Sequence, residues 1–206
     1  QFLLLFLMCI SASWTWASDA PERTVLFNMG DYDSQYWRIP ALVTAADNSL
    51  VAVVDKRGSS LGDLPNTISI MSRRSTDNGK NWSEPVVVAQ GGNGKTYGDP
   101  AVVLDKKTGN LICMFVGDQG LWNATPYNRQ GIYVSKSTDN GVSWSEPVAI
   151  TDQVYANHSG WYAGFAGSGH GLCLKDGRLM FVLAIRATSA TGVPLHNYAI
   201  YSDDGG

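Results

Sequence analysis

Ser75-Thr76-Asp77-Asn78-Gly79-Lys80-Asn81-Trp82, followed by Ser83-Glu84-Pro85-Val86, is the stretch on which the fold turns. It returns as Ser137-Thr138-Asp139-Asn140-Gly141-Val142-Ser143-Trp144 with Ser145-Glu146-Pro147-Val148, and begins again as Ser202-Asp203-Asp204-Gly205-Gly206. The period is roughly sixty residues, long enough for one propeller blade per repeat. Asp and Asn favour local hydrogen bonds to turn amides, and Gly takes a positive φ without steric penalty. Trp can then close the turn with a large apolar face. The regular acidic positions and terminal Glu of an EF-hand calcium loop are missing. Constant turn chemistry at each recurrence reads as structural, not catalytic.

Upstream of each turn the similarity continues. Pro40-Ala41-Leu42-Val43 matches Pro100-Ala101-Val102-Val103. The runs Leu50-Val51-Ala52-Val53-Val54, Leu111-Ile112-Cys113-Met114-Phe115 and Leu179-Met180-Phe181-Val182-Leu183 correspond, as do Thr67–Ile70, Ile132–Ser135 and Tyr198–Tyr201. Pro85–Val88 matches Pro147–Ile150. Each period therefore holds four short strands separated by Gly, Asn, Asp and Pro turns, and no helical periodicity competes. Four strands per repeat predicts an all-β propeller, with two complete blades and most of a third. A blade buries its faces on its neighbours, so residues 19–206 read as part of a larger propeller domain.

Composition agrees. The chain has 206 residues, of which 22 are Gly, 8 Pro, 7 Trp and 9 Tyr, fitting many tight turns and aromatic-braced strands. Fifteen basic and eighteen acidic residues form no cluster, which excludes an obvious nucleic-acid footprint.

Residues 1–18, QFLLLFLMCISASWTWAS, carry no charge, and Phe2–Ile10 is almost continuously apolar. This reads as the core of a secretory signal, incomplete at its start, with cleavage near Thr15-Trp16-Ala17. The apolar part is short for a bilayer span, so no stable membrane insertion is expected after cleavage. The expected destination is export, to the periplasm or outside the cell. Met8 before Cys9 argues against a lipoprotein site. Cys113 and Cys173 lie in apolar runs and read as buried thiols, although export would permit a disulfide. His158, His170 and His196 show no metal-ligand spacing, so no metal site is expected. Asn-x-Ser/Thr sequons begin at Asn81, Asn123 and Asn157 and matter only in a eukaryotic secretory route.

Function should lie where the repeat breaks. Arg38 sits in Tyr36-Trp37-Arg38-Ile39-Pro40, whose counterpart before Pro100 is Gly98-Asp99. Arg57 follows Asp55-Lys56, and the loop Gly58 to Pro65 carries Asp63. The corresponding second loop, Gly117 to Gln130, contains Leu121-Trp122. A guanidinium is a planar fork suited to a carboxylate, and an Asp facing a pocket can serve as an acid. Exposed loop charges are the plain alternative.

Arg38-Ile39-Pro40 resembles the Arg-Ile-Pro motif of sialidases, and the Ser-x-Asp-x-Gly-x-x-Trp turns resemble their Asp-boxes. The order Arg38, Arg57, Asp63, Asp99 and then Asp-boxes is similar to the first half of bacterial-type exo-sialidases, over residues 22–206. Asp-boxes alone occur in non-catalytic propellers too; the combination with Arg-Ile-Pro and Arg-x5-Asp is more specific. The resemblance implies a six-bladed propeller with an axial site, of which this chain supplies roughly the first three blades. It implies that Arg38 is one of three arginines clamping a sialic-acid carboxylate and that Asp63 is the acid/base at the leaving oxygen. Arg57 and Asp99 would lie around the ring substituents, and Trp122 would help wall the N-acetyl pocket. The implied Tyr nucleophile, its Glu partner and two further arginines fall beyond Gly206, so the 206-residue chain alone is expected to be inactive. Sialylated glycans would be the substrates, without a cofactor. A trans-sialidase and a non-catalytic glycan- or protein-binding propeller remain as alternatives. Arg178 and Arg186 read as strand-end charges.

Overall fold

The computed structural model describes residues 23–58, 60–167, 169–187 and 195–206. The apolar segment 1–18 lies outside the described residues.

The first repeat folds as one antiparallel sheet, β1 (Trp37–Thr44), β2 (Leu50–Lys56), β3 (Ser69–Ser75) and β4 (Val86–Ala89), paired in chain order. The second repeats this plan with β5 (Tyr97–Leu104), β6 (Leu111–Gly117), β7 (Gly131–Ser137) and β8 (Val148–Ala149). Short segments follow: β9 (Trp161–Ala166), β10 (Gly169–His170) and β11 (Leu172–Cys173). β9 and β11 both pair with β12 (Leu179–Ala187), which pairs with β13 (His196–Ser202). The inner strand of the third blade is thus split. Between its halves, β10 crosses to pair in parallel with Ala101 and Val102 of β5.

Packing explains why β6, Leu-Ile-Cys-Met-Phe-Val-Gly, is apolar without alternation. Leu111, Cys113 and Phe115 face the first blade, where Val51, Val53 and Ile70 wait. Ile112 and Met114 face the third blade, against Leu179, Phe181, Leu183 and Ile185. A strand buried on both faces has no polar side to show. Each fully buried Val, Leu, Ile or Phe contributes roughly 1.5–3 kcal/mol, so the two blade seams carry most of the stabilisation. In β12 the burial alternates instead, with Phe181, Leu183 and Ile185 buried and Val182 exposed.

The Asp-box turns close β3 to β4 and β7 to β8. In the first, Asp77 Oδ1 accepts the Asn81 N–H at 2.9 Å, and Ser75 Oγ accepts the Gly79 N–H at 2.9 Å. In the second, Asp139 Oδ1 accepts the Ser143 N–H at 2.9 Å, and Ser137 Oγ accepts the Gly141 N–H at 2.8 Å. Trp82 donates to Gly79 O within its own turn, whereas Trp144 donates at 2.9 Å to Ser72 Oγ of the first blade. The second turn is therefore also an inter-blade tie. Cys113 and Cys173 are both free and buried.

Two elements differ from expectation. A short helix, α1 (Thr151–Tyr155), joins β8 to β9 where none was expected. Five residues are too few to show a periodicity. Thr151 Oγ1 accepts the Ile132 N–H at 2.9 Å, docking the helix on β7, and Tyr155 is buried beneath it. The inner strand of the third repeat, Trp161–Ala166, had no sequence counterpart, because it lacks the Pro-Ala pair that marks β1 and β5.

Candidate active site

The β2–β3 and β6–β7 loops and the starts of β1 and β5 gather at the blade end opposite the Asp-boxes. Both inner strands begin with the same distortion. Arg38 pairs with Asp55 and Ala41 with Val53, so Ile39 and Pro40 bulge; Asp99 and Pro100 bulge in the same way between Gly98 and Ala101. Ile39 and Asp99 take φ of 54° and 56°, a costly left-handed conformation, above all for a β-branched Ile. A bulge bends the strand and re-aims its side chains. Here it turns Arg38 in one blade and Asp99 in the next toward the same loop.

Arg57 lies at the centre. Its side chain is 1% exposed, and Nε and Nη2 donate to Asp55 Oδ2 at 3.1 and 2.8 Å. Nη1 donates to Leu61 O, to Gly62 O and, at 2.6 Å, to Asp63 Oδ1. Arg38 Nη1 reaches Leu61 O at 3.1 Å and the same Asp63 oxygen at 3.3 Å. Asp63 is 74% exposed and Arg38 41%, so both can meet a solute that Arg57 underpins from within. Asp55 is wholly buried, and its Oδ1 accepts the Asp99 N–H at 3.2 Å. Burial and the neighbouring Asp99 carboxyl push Asp55 up to about 7, against the pull of Arg57. Burial likewise raises Asp99, opposed mainly by Arg57.

Of the residues singled out from the sequence, Arg38, Arg57 and Asp63 are in direct contact, and Asp99 joins them through Asp55. Trp122 sits apart. It is 56% exposed on the β6–β7 loop, and its contact is the Arg186 guanidinium, 5.4 Å from the ring centroid. That loop abuts the Asp63 loop at Gly120, where an added Cβ would fall 2.0 Å from Leu64 O. Leu64, Ile68, Val116 and Phe165 fill the space beneath. Arg186 corrects the reading of it as a strand-end charge. It donates to Leu121 O at 2.9 Å and Trp122 O at 3.2 Å and also lies over Tyr162, pinning a second-blade loop from the third blade. Arg178 does behave as a strand-end charge, paired with Asp203 at the surface. Departure from the repeat does not mark Asp55, although a carboxylate ending the apolar run Leu50–Val54 signals burial with a partner. Nothing local in the sequence marks Arg186.

Residues 39–206 match the family model of the BNR repeat-like domain. Over 196 residues, covering 86% of this chain, the sequence is 34% identical to a sialidase of Bacteroides fragilis. This chain belongs to the BNR-repeat sialidase family. The chain covers 35% of that relative and between 28% and 50% of two others, sialidases of Micromonospora viridifaciens and Paraclostridium sordellii. Among solved structures, a Hadza microbial sialidase superimposes with a TM-score of 0.76 at 30% identity, covering 86% of this chain and 37% of that one. A leech intramolecular trans-sialidase gives a TM-score of 0.76 at 16% identity over 91% of this chain and 45% of its own, a likeness of fold alone. The three sheets are blades of the sialidase β-propeller, of which this BNR-repeat chain is a part.

Proposed function

We propose that the whole protein is an exported exo-α-sialidase that releases terminal sialic acid with retention of configuration. The observation carrying this reading is the convergence of Arg38 and Arg57 on Asp63, an exposed carboxylate braced from a buried guanidinium. A sialoside bears a carboxylate beside its anomeric carbon, and Arg38 is the exposed fork suited to it. As that carboxylate arrives, Arg38 exchanges Asp63 for the substrate, freeing Asp63 to address the glycosidic oxygen. Asp63 then donates a proton to the departing alcohol as the oxocarbenium-like transition state develops, and later activates the water that completes hydrolysis. A carboxylate nucleophile would repel this substrate; a Tyr paired with Glu, which the family resemblance puts beyond Gly206, avoids the repulsion. Arg57 and Asp99 flank the sugar's ring substituents, and Trp122 offers an apolar wall on the adjoining loop.

The test is to incubate the purified whole protein with sialyllactose and follow the first-formed anomer by proton NMR. Release of α-sialic acid before mutarotation supports the reading. Adding excess acceptor sugar distinguishes transfer from hydrolysis. Tight glycan binding without turnover would instead favour a non-catalytic propeller.

A further inference from the structure

The buried carboxylate of Asp55 has no place in the reaction outlined above, yet it holds two of its parts. We propose that Asp55 is a positioning residue that locks Arg57 and the Asp99 bulge into one unit across the seam between the first two blades. The inference rests on the proposed function only for its kinetic consequence.

The geometry divides the two oxygens. Oδ2 takes both Nε and Nη2 of Arg57, so the guanidinium can rotate about neither its Nε nor its terminal bond without breaking a charged hydrogen bond. That leaves Nη1 pointing out of the core, at Leu61 O, Gly62 O and Asp63 Oδ1. Oδ1 takes the Asp99 N–H, the amide that the bulge in β5 removes from regular pairing with β6. An amide released by a bulge and buried without a partner is costly, so Asp55 helps stabilise the left-handed backbone that aims Asp99. Gly98 completes the arrangement. It occupies the register position that Arg38 occupies in the first blade, and an added Cβ there would lie 3.5 Å from Asp55 Oδ2. That is ordinary contact distance, so Gly98 of the second blade lies directly against the carboxylate of the first.

The charged and titratable groups around Asp55 are Arg57 on the end of its own strand, Asp99 on β5 and Cys113 on β6, with Asp63 and Arg38 one step further out. Arg57 is the only cation touching Asp55 among the described residues. Asn in place of Asp55 keeps the shape but turns an amide toward either Arg57 or the Asp99 N–H, so one of the two holds must fail.

Asp55→Asn in the whole protein is the test, read first by NMR. In the parent, the Arg57 Nε–H and the Asp99 amide should give slowly exchanging signals; in the variant at least one should exchange about tenfold faster or more. Both signals unchanged would overturn the proposal, whether or not the protein cleaves sialosides. A protein that fails to cleave removes the functional reading and leaves this arm intact. If it does cleave, kcat/KM should fall by about 10²-fold, as for a displaced binding group, with the melting transition still cooperative. The Asp55→Asn/Arg57→Lys double variant should be scarcely worse than the poorer single variant, because both break one unit. Additive losses would overturn the coupling and leave Asp55 a packing residue.

Discussion

At one end of each sheet the chain turns through an Asp-box, and at the other through a loop of its own design. The Asp-boxes reproduce the same bonds at the same positions: Ser75 and Asp77, Ser137 and Asp139, Ser202 and Asp204. The opposite loops share almost nothing. One carries Arg57 and Asp63 against Arg38, and the other carries Trp122 against Arg186. Even the shared bulge before Pro40 and Pro100 is used differently, aiming Arg38 in one blade and Asp99 in the next. A turn that satisfies its own amides tolerates little change. Loops anchored by their flanking strands are free to hold charge in strained positions, provided that buried partners such as Asp55 compensate.

The largest contrast should come from the loop end. Asp63→Asn in the whole protein should cut kcat on natural sialosides by about 10²–10⁴-fold with an unchanged melting temperature. Aryl sialosides with good leaving groups should lose far less, since they need little protonation. Equal losses on both substrates would remove Asp63 from the acid role.

Within the Asp-box end, Gly79 and Gly141 provide a matched pair. Both have φ of +85°, but a Cβ at Gly141 would fall 2.7 Å from Val51 Cγ2 in the first blade. At Gly79 its nearest neighbour would be Leu50 Cδ1 at 3.7 Å. Gly79→Ala should cost about 1–2 kcal/mol from the left-handed backbone alone. Gly141→Ala adds overpacking of the seam, for about 2–4 kcal/mol in all. Denaturant unfolding of the two variants measures the difference. Equal costs would mean that the second turn is not an inter-blade tie.

Arg38→Ala should raise KM for sialosides by about tenfold to 10²-fold, the worth of hydrogen bonds to a charged group. Arg38→Lys should recover little, because a point charge cannot grip a carboxylate in two places. Steady-state kinetics on both variants checks this, and near-normal KM values would place Arg38 outside the site.

The smallest effect belongs to Asp77. The Asn81 backbone N–H, the Asn81 side chain and the Ser75 hydroxyl hold its carboxyl down at about 2, below the ordinary 3.8. Its folded-state value is the lower one, so the stabilisation is present above about pH 4 and is lost as pH falls through about 2. Asp77→Asn should flatten that part of the acid-unfolding curve and leave neutral kinetics alone. A loss of turnover at neutral pH would contradict the structural assignment.

Much of the architecture was legible because the repeat writes each blade in the same short-range terms. Strands β2, β6 and β12 could be aligned by their apolar runs, and the turns by their Ser, Asp, Gly and Trp. The split inner strand of the third blade was not legible, since Trp161–Ala166 lacks the Pro-Ala marker and owes its place to pairing with β12. At the site, Arg38, Arg57, Asp63 and Asp99 stood out by departing from the repeat. Asp55 and Arg186 did not, because Asp55 reads as the end of an apolar strand while its hold on Asp99 crosses to the next blade, and the partners of Arg186 lie on another blade.

Periodicity, turn chemistry and strand composition are local properties, so the sequence by itself determined that this chain forms successive four-stranded blades closed by Asp-boxes. Which charges meet is different. Arg57 could have faced solvent, and Trp122 could have stood alone. Only the tertiary structure decided that one guanidinium is buried between Asp55 and Asp63, and that another reaches from the third blade to hold the Trp122 loop. The physical reason is burial: the packing of whole blades takes Arg57 from water onto partners two to six residues away along the chain, and brings Arg186 its partners from another blade.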